Sequence, residues 1–170
     1  WDFEHSSLPN IKDYYEDSDY GQLIIMNYIV GETLDKIVEK GFLEDEHLCW
    51  ILQRCLDGLQ YLHYKGIIHC DIKPQNIIVN VPEHNATLID FGVSVCGPVA
   101  RTKAKGGTEG FMPPEFELGK PPIPASDLYS LGKVGIFLSG GNPITGSIPK
   151  DVDNELAKIL VKMTKQDISV

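Results

Sequence analysis

Asp71, Lys73, Asn76 and Asp90 are residues whose types can do chemistry together. A carboxylate at Asp71 can accept the hydrogen bond of an attacking hydroxyl. A second carboxylate, Asp90, stands at the end of a short apolar run and suits magnesium, a hard ion that prefers oxygen ligands; Asn76 offers its side-chain carbonyl to a second ion. Lys73, two residues beyond Asp71, projects into the same space and offsets negative charge on a transferring phosphate. Phosphoryl transfer asks for this set, because the protein has little covalent work to do beyond aligning groups and neutralising charge. Taken singly, each residue has an ordinary use: a strand-end aspartate forms a turn, an asparagine caps a loop, and a lysine in Asp-x-Lys sits in water.

Several elements must hold these residues in place. Residues 23–30 (LIIMNYIV) form a short apolar run that predicts a buried strand leading into a turn at Gly31. Residues 33–40 predict a short helix capped by Thr33 and stopped by Gly41. Leu48, Ile51, Leu52, Cys55, Leu59 and Leu62 recur at spacings of three and four, which puts them on one face of a long helix ended by Gly66. Two apolar runs, NIIV and ATLID, flank PEHN as a hairpin. Residues 93–119 read as an extended loop, rich in glycine, proline and short polar residues. Residues 127–138 are apolar nearly all round and predict a buried central helix. A Gly/Pro-rich connection, residues 140–150, leads to a last amphipathic helix over 151–165, with Leu156, Ile159, Leu160 and Met163 facing inward.

The motifs His69-Cys70-Asp71-Ile72-Lys73-Pro74-Gln75-Asn76, Asp90-Phe91-Gly92, Gly107-Thr108 and Pro113-Pro114-Glu115 occur in one order. In order and spacing they resemble the catalytic loop, magnesium loop and activation-segment end of eukaryotic-type protein kinases. Residues 23–34 look like the family's hinge strand and 126–132 like its buried central helix, so the resemblance spans nearly the whole chain. It implies an α+β fold: a mainly helical C-lobe with a small hairpin, plus a hinge-strand remnant of the N-lobe. Residues 1–170 are then an incomplete catalytic domain, with 1–30 the N-lobe remnant and hinge and 31–170 the C-lobe. It implies ATP and Mg2+ as cofactors and a protein substrate with a Ser/Thr acceptor. Asp71 and Lys73 would be catalytic, and Asn76 and Asp90 would hold metal. Met26, Asn27, Ile29, Ile78, Lys73, Asn76 and Asp90 would bind the nucleotide: Asn27 and Ile29 through backbone groups, Ile78 as pocket floor and Met26 as back wall. By the same resemblance Thr108 bonds to Lys73 and Asp71, which argues against a tyrosine-specific enzyme, His69 packs on Phe91, and Asp127 ties down the backbone beside His69.

Four departures from the family pattern stand out. No Gly-rich loop, strand lysine or helix glutamate precedes Trp1, so an upstream N-lobe segment is expected to be needed for full activity. Cys70 replaces the arginine that in many members receives an activation-loop phosphate. The connection between the last two helices is short where the family inserts a further helix. Glu115 lacks its expected arginine partner within the sequence.

Composition sets limits on function. The chain has 170 residues, a net charge of -9 and 42% hydrophobic residues, enough for one domain with a real core. No Lys/Arg stripe marks a nucleic-acid binder. No apolar run reaches a bilayer-spanning length, and residues 1–7 lack signal-peptide character, so this segment is not expected to insert in a membrane. Cys49, Cys55, Cys70 and Cys96 form no CxxC or zinc pattern, which points to a reducing compartment and a cytoplasmic protein. His5, His47, His63 and His84 lack metal-ligand spacing and read as surface or packing residues. Asn85-Ala86-Thr87 fits a glycosylation acceptor and is expected to stay unmodified in a cytoplasmic hairpin. Two other functions compete: an inactive kinase-like binding or scaffolding module, and a small-molecule phosphotransferase, the latter disfavoured by the protein-substrate character of GTEGFMPPE.

Overall fold

A computed structural model describes residues 4–19 and 21–165. Its secondary structure begins with an antiparallel pair, β1 (Ile11–Asp17) and β2 (Gly21–Met26). Next come β3 (Glu32–Thr33), α1 (Leu34–Val38), α2 (Asp45–Tyr64) and β4 (Ile67–Ile68). A 3-10 turn over Pro74–Asn76 leads into the hairpin β5 (Ile77–Asn80) and β6 (Asn85–Leu88), and β7 (Val95–Cys96) pairs back on β4. The chain continues through α3 (Pro114–Glu117), α4 (Pro124–Leu138) and α5 (Asn154–Met163).

The long helix follows from the periodic pattern. Leu48, Ile51, Leu52, Cys55, Leu59 and Leu62 are all buried in α2, and Gly66, at φ +73, turns the chain away after its end. This stripe packs on β6 and on α4, which is buried around most of its circumference, its polar Ser126, Asp127, Ser130 and Lys133 included. Gly135 lets α5 lie close against α4, because a β-carbon there would stand 2.4 Å from Leu160 Cδ2. Asp153 starts α5 by accepting from the amides of Glu155 and Leu156 at 2.9 and 3.1 Å.

Some expectations need correction. The run at residues 23–30 is neither wholly strand nor buried: β2 stops at Met26, and Leu23, Ile24, Ile25 and Met26 are each about half exposed because β1 is the sole partner strand in their sheet. An apolar run reads as buried from sequence, but burial needs a covering layer; in β1 it is Ile11, at the strand's start, that packs against the core, while residues 12–16 are exposed. Helix α1 starts at Leu34 with Thr33 at the cap position, yet the Thr33 side chain makes no capping hydrogen bond. Ile159 is exposed, leaving Leu156 and Leu160 as the buried residues of α5. The 93–119 stretch is not all loop, since it contains β7 and α3. Among the described residues, no helix is long and apolar enough to cross a membrane.

Candidate active site

The site is assembled where the segment after β4 meets the end of β6. Asp127, 1% exposed on α4, accepts from the His69 amide through Oδ2 and from the Cys70 amide through Oδ1, both at 2.9 Å. This fixes a left-handed residue, Cys70 at φ +68, which a β-carbon makes costly unless its surroundings hold it. The His63 ring lies 2.8 Å from the same Oδ2. Sequence reasoning passed His63 over as a surface or packing residue. Its position one turn beyond Leu59, at the rim of the buried stripe of α2, was the available signal.

Asp71 follows this turn and is bonded from three sides. The Lys73 ammonium is 2.7 Å from Asp71 Oδ2, the Thr108 hydroxyl donates to Oδ1 at 3.2 Å, and Lys73 donates to Thr108 Oγ1 at 3.3 Å. Asn76, buried at the end of the 3-10 turn, donates through Nδ2 to both the carbonyl and Oδ2 of Asp71 at 2.9 Å. With its amide nitrogen committed to Asp71, Asn76 keeps its side-chain oxygen as a donor for a cation. Ile89 donates to the Asn76 carbonyl at 2.9 Å and so delivers Asp90, the next residue, beside this cluster. Asp90 is exposed at φ +64 and accepts from the Gly92 amide at 3.2 Å. Phe91 packs on His69 with ring centres 4.8 Å apart. The buried His69 ring bonds to the Ile89 carbonyl at 3.0 Å, and burial holds its pKa below the ordinary histidine value against the pull of Asp127, Asp71 and Asp90.

The donor set suits magnesium. One carboxylate and one amide carbonyl leave room for phosphate oxygens and water, which that ion retains in its shell. Among the described residues, no group of three His, Cys, Asp or Glu side chains gathers as a self-sufficient metal cage.

The residues expected around a base sit together only in part. Ile78 pairs across the sheet with Thr33 and Thr87, and cross-strand partners share a face. Residues 27–31 pass over this side. Gly31 comes so close that a β-carbon would lie 2.3 Å from the Val79 carbonyl oxygen and 2.8 Å from Ile78 Cγ2, which excludes any larger residue. Asn27 and Ile29 line a groove with Leu8, Asn10, Asn80 and Thr87. The Asn27 amide is not free, because it donates to the Asn10 carbonyl at 3.0 Å, and the Asn27 side chain accepts from the Asn10 amide at 2.6 Å. Met26 lies opposite Ile11 at the end of β2, 41% exposed. Nearby, Glu32 pairs with Lys40 at 2.6 Å on the surface.

Cys70 is a poor nucleophile. Burial pushes its thiol pKa up to about 12, and its sulfur donates to the Ile68 carbonyl at 3.5 Å. Glu115, also buried, accepts from the Ser126 hydroxyl through Oε1, while Oε2 meets no hydrogen-bond partner among the described residues.

A family model described as the protein kinase domain matches residues 2–169. The chain is 30% identical over 142 residues to calcium/calmodulin-dependent protein kinase type 1 of Macrobrachium nipponense, covering 82% of this chain and 41% of that protein. It is 32% identical over 161 residues to serine/threonine-protein kinase B of Synechocystis, covering 88% and 27%. To serine/threonine-protein kinase PknA of Mycobacterium tuberculosis it is 33% identical over 151 residues, covering 84% and 35%. The chain thus spans less than half the length of the curated relatives it matches.

Proposed function

The chain belongs to the protein kinase family, and from that premise we propose that its full-length protein transfers the γ-phosphate of ATP to serine or threonine hydroxyls of protein substrates. The observation that carries this reading is the joint engagement of Asp71 by Lys73, Asn76 and Thr108. Two carboxylates, a lysine and an asparagine gathered on one loop and strand end add little to stability, and such a cluster fits a functional site.

In this reading Asp71 accepts the proton-bearing hydroxyl of the substrate and orients its oxygen. Thr108 holds the carboxylate from the opposite side, as suits an aliphatic hydroxyl acceptor rather than a phenol. Lys73, already 2.7 Å from Asp71, is placed to meet negative charge developing on the transferred group. Asn76 and Asp90 would hold magnesium, which supplies charge neutralisation and orientation of the phosphates when bound. Ile78 would form the floor beneath the adenine and Met26 the back wall. Asn27 would contribute its carbonyl, since its amide is engaged, and Ile29 its backbone. In the same reading residues 1–30 hold smaller-lobe sequence with the hinge, and residues 31–170 the larger lobe. A cytoplasmic location fits four free thiols, two of them buried.

The experiment is phosphate transfer from labelled ATP, with magnesium, by the full-length protein to serine, threonine and tyrosine peptides. Transfer to the first two is expected, with Asp71→Asn and Asp90→Asn each lowering the rate by orders of magnitude at an unchanged urea midpoint. Near-normal turnover by either folded variant removes the role assignment. Intact nucleotide binding with no transfer by the wild type favours the scaffolding module instead.

A further inference from the structure

Helices α2 and α4 lead to the candidate active site at one end and border a groove at the other. Asp127, near the start of α4, holds the loop of Asp71, and α2 runs into that region from its last residue, Tyr64. The start of α2 stands about 30 Å from its end, the length of a 20-residue helix. There the α1–α2 connection, the end of α4 and the entry to α5 enclose a groove of about 510 Å³.

Bonds across long sequence separations tie its walls together. The Leu43 amide donates to the Leu138 carbonyl at 3.0 Å, joining the connection to the end of α4, and the Asp153 amide donates to Asp45 Oδ2 at 2.8 Å, joining the entry of α5 to the start of α2. Phe42 is 64% exposed yet held in place: Gly140, at φ +85, comes so close that a β-carbon on it would stand 3.0 Å from Phe42 Cδ2 and 3.2 Å from Cγ.

Two chemistries meet in this groove. Phe42, Pro149 and Val152 supply apolar surface, Glu44, Asp45 and Asp151 supply negative charge, and no lysine or arginine is among the lining residues. Glu44 stands at the cap position of α2 without making a capping bond, and among the described residues neither it nor Asp151 enters an ion pair. Burial first, then the charges of Asp45 and Asp153, raise the pKa of the Cys49 thiol one turn along α2, which registers the negative field at this end. The net charge of the chain, -9, has the same sign. Helix starts favour acids on their own account, but they do not call for an exposed aromatic ring beside them. Among the described residues these carboxylates do not gather closely enough to hold a metal ion.

We propose that this groove is a docking site for a basic segment of a partner protein, in which an arginine or lysine lays its alkyl stem along Phe42 and brings its cation to Glu44, Asp45 and Asp151. An aromatic face beside carboxylates recognises such a side chain through both the ring and the charge. A second copy of this chain is a poor occupant, because two chains of charge -9 repel each other.

The test is fluorescence anisotropy of the full-length protein with three labelled peptides, Gly-Arg-Leu-Arg-Gly, Gly-Gln-Leu-Gln-Gly and Gly-Glu-Leu-Glu-Gly. The arginine peptide should bind about tenfold more tightly than the glutamine peptide, with affinity falling as salt is raised, and the glutamate peptide should not bind. Phe42→Ala and Asp151→Lys, both at exposed positions, should each weaken the arginine peptide by about fivefold at an unchanged urea midpoint. Glu83→Lys, which alters net charge equally on the distant β5–β6 hairpin, should leave its affinity within about twofold of the wild type. Equal binding of the arginine and glutamine peptides overturns the proposal, as does equal weakening by Asp151→Lys and Glu83→Lys, which would reduce the effect to net charge. Binding untouched by Phe42→Ala places the peptide elsewhere and overturns it too. Mass that grows with protein concentration and shrinks in Phe42→Ala would assign the groove to a second copy instead.

Discussion

The carboxylate of Asp127 and the amide of Cys70 meet at 2.9 Å, across 57 positions of sequence, and this bond holds the loop of Asp71 in a conformation that local preference opposes. Cys70 carries a β-carbon in left-handed backbone, and the neighbouring His69 amide bonds to the other oxygen of the same carboxylate. The central helix therefore acts on the site through one buried side chain that touches none of the groups expected to react.

Replacing Asp127 by alanine leaves two buried amides and the His63 ring without this acceptor. Orphaned buried groups of this kind cost about 1–3 kcal/mol each, so unfolding free energy should fall by about 2–5 kcal/mol. Urea unfolding with an unchanged m-value measures it. A loss under about 0.5 kcal/mol would mean that the loop holds its shape without α4.

Much of this arrangement was legible in the sequence, for a physical reason. The α2 stripe and the hairpin around PEHN follow from local periodicity and turn chemistry, which need no knowledge of partners. The pairing of Thr108 with Lys73 and Asp71 was also anticipated, through resemblance. What was not legible depends on what lies across the gap. Residues 23–26 are as apolar as any core strand but lie open, and residues 11–17, with few apolar side chains, gave no strand signal before their pairing with β2. His63 and Lys133 escaped notice because their significance comes from a buried carboxylate and a loop carbonyl supplied by distant positions.

Activity should not require a phosphate on Ser94 or Thr102. The segment is already ordered by the β4–β7 pairing and by the Gly97 amide donating to the Gly66 carbonyl at 2.7 Å, while Cys70 offers no positive charge to a phosphate. The two hydroxyls have local uses: Ser94 donates to the Phe91 carbonyl at 2.7 Å, and Thr102 accepts from the Val99 amide at 2.9 Å. Ser94→Ala and Thr102→Ala in the full-length protein should keep most of the transfer rate. A collapse in the double variant, reversed by acidic replacements, would reveal a phosphate partner elsewhere, with Arg101, Lys103 and Lys105 the nearest in sequence.

Stability should fall in mild acid through His69. Burial lowers its folded-state pKa below the ordinary 6.5, so the unfolded chain takes up the proton first as pH drops. The folded state then loses stability as pH falls below about 6.5, down to the folded pKa, beneath which this contribution is constant. Urea midpoints from pH 7.5 to 5 should therefore slope downward in the wild type and less steeply in His69→Phe. Equal slopes would show that the ring takes up its proton equally in both states.

The 170-residue chain alone should associate in solution through its β1–β2 ribbon. Tyr14, Tyr15, Leu23, Ile24 and Ile25 are all between 42% and 52% exposed, and a two-stranded ribbon also presents unpaired strand edges. Contiguous apolar surface on an open sheet favours pairing with another chain over exposure to water. Sedimentation across a tenfold concentration range should show reversible growth in mass, reduced by Ile24→Lys with no change in helical content. If the chain stays monomeric across that range, then its own residues cover the ribbon and the association is refuted.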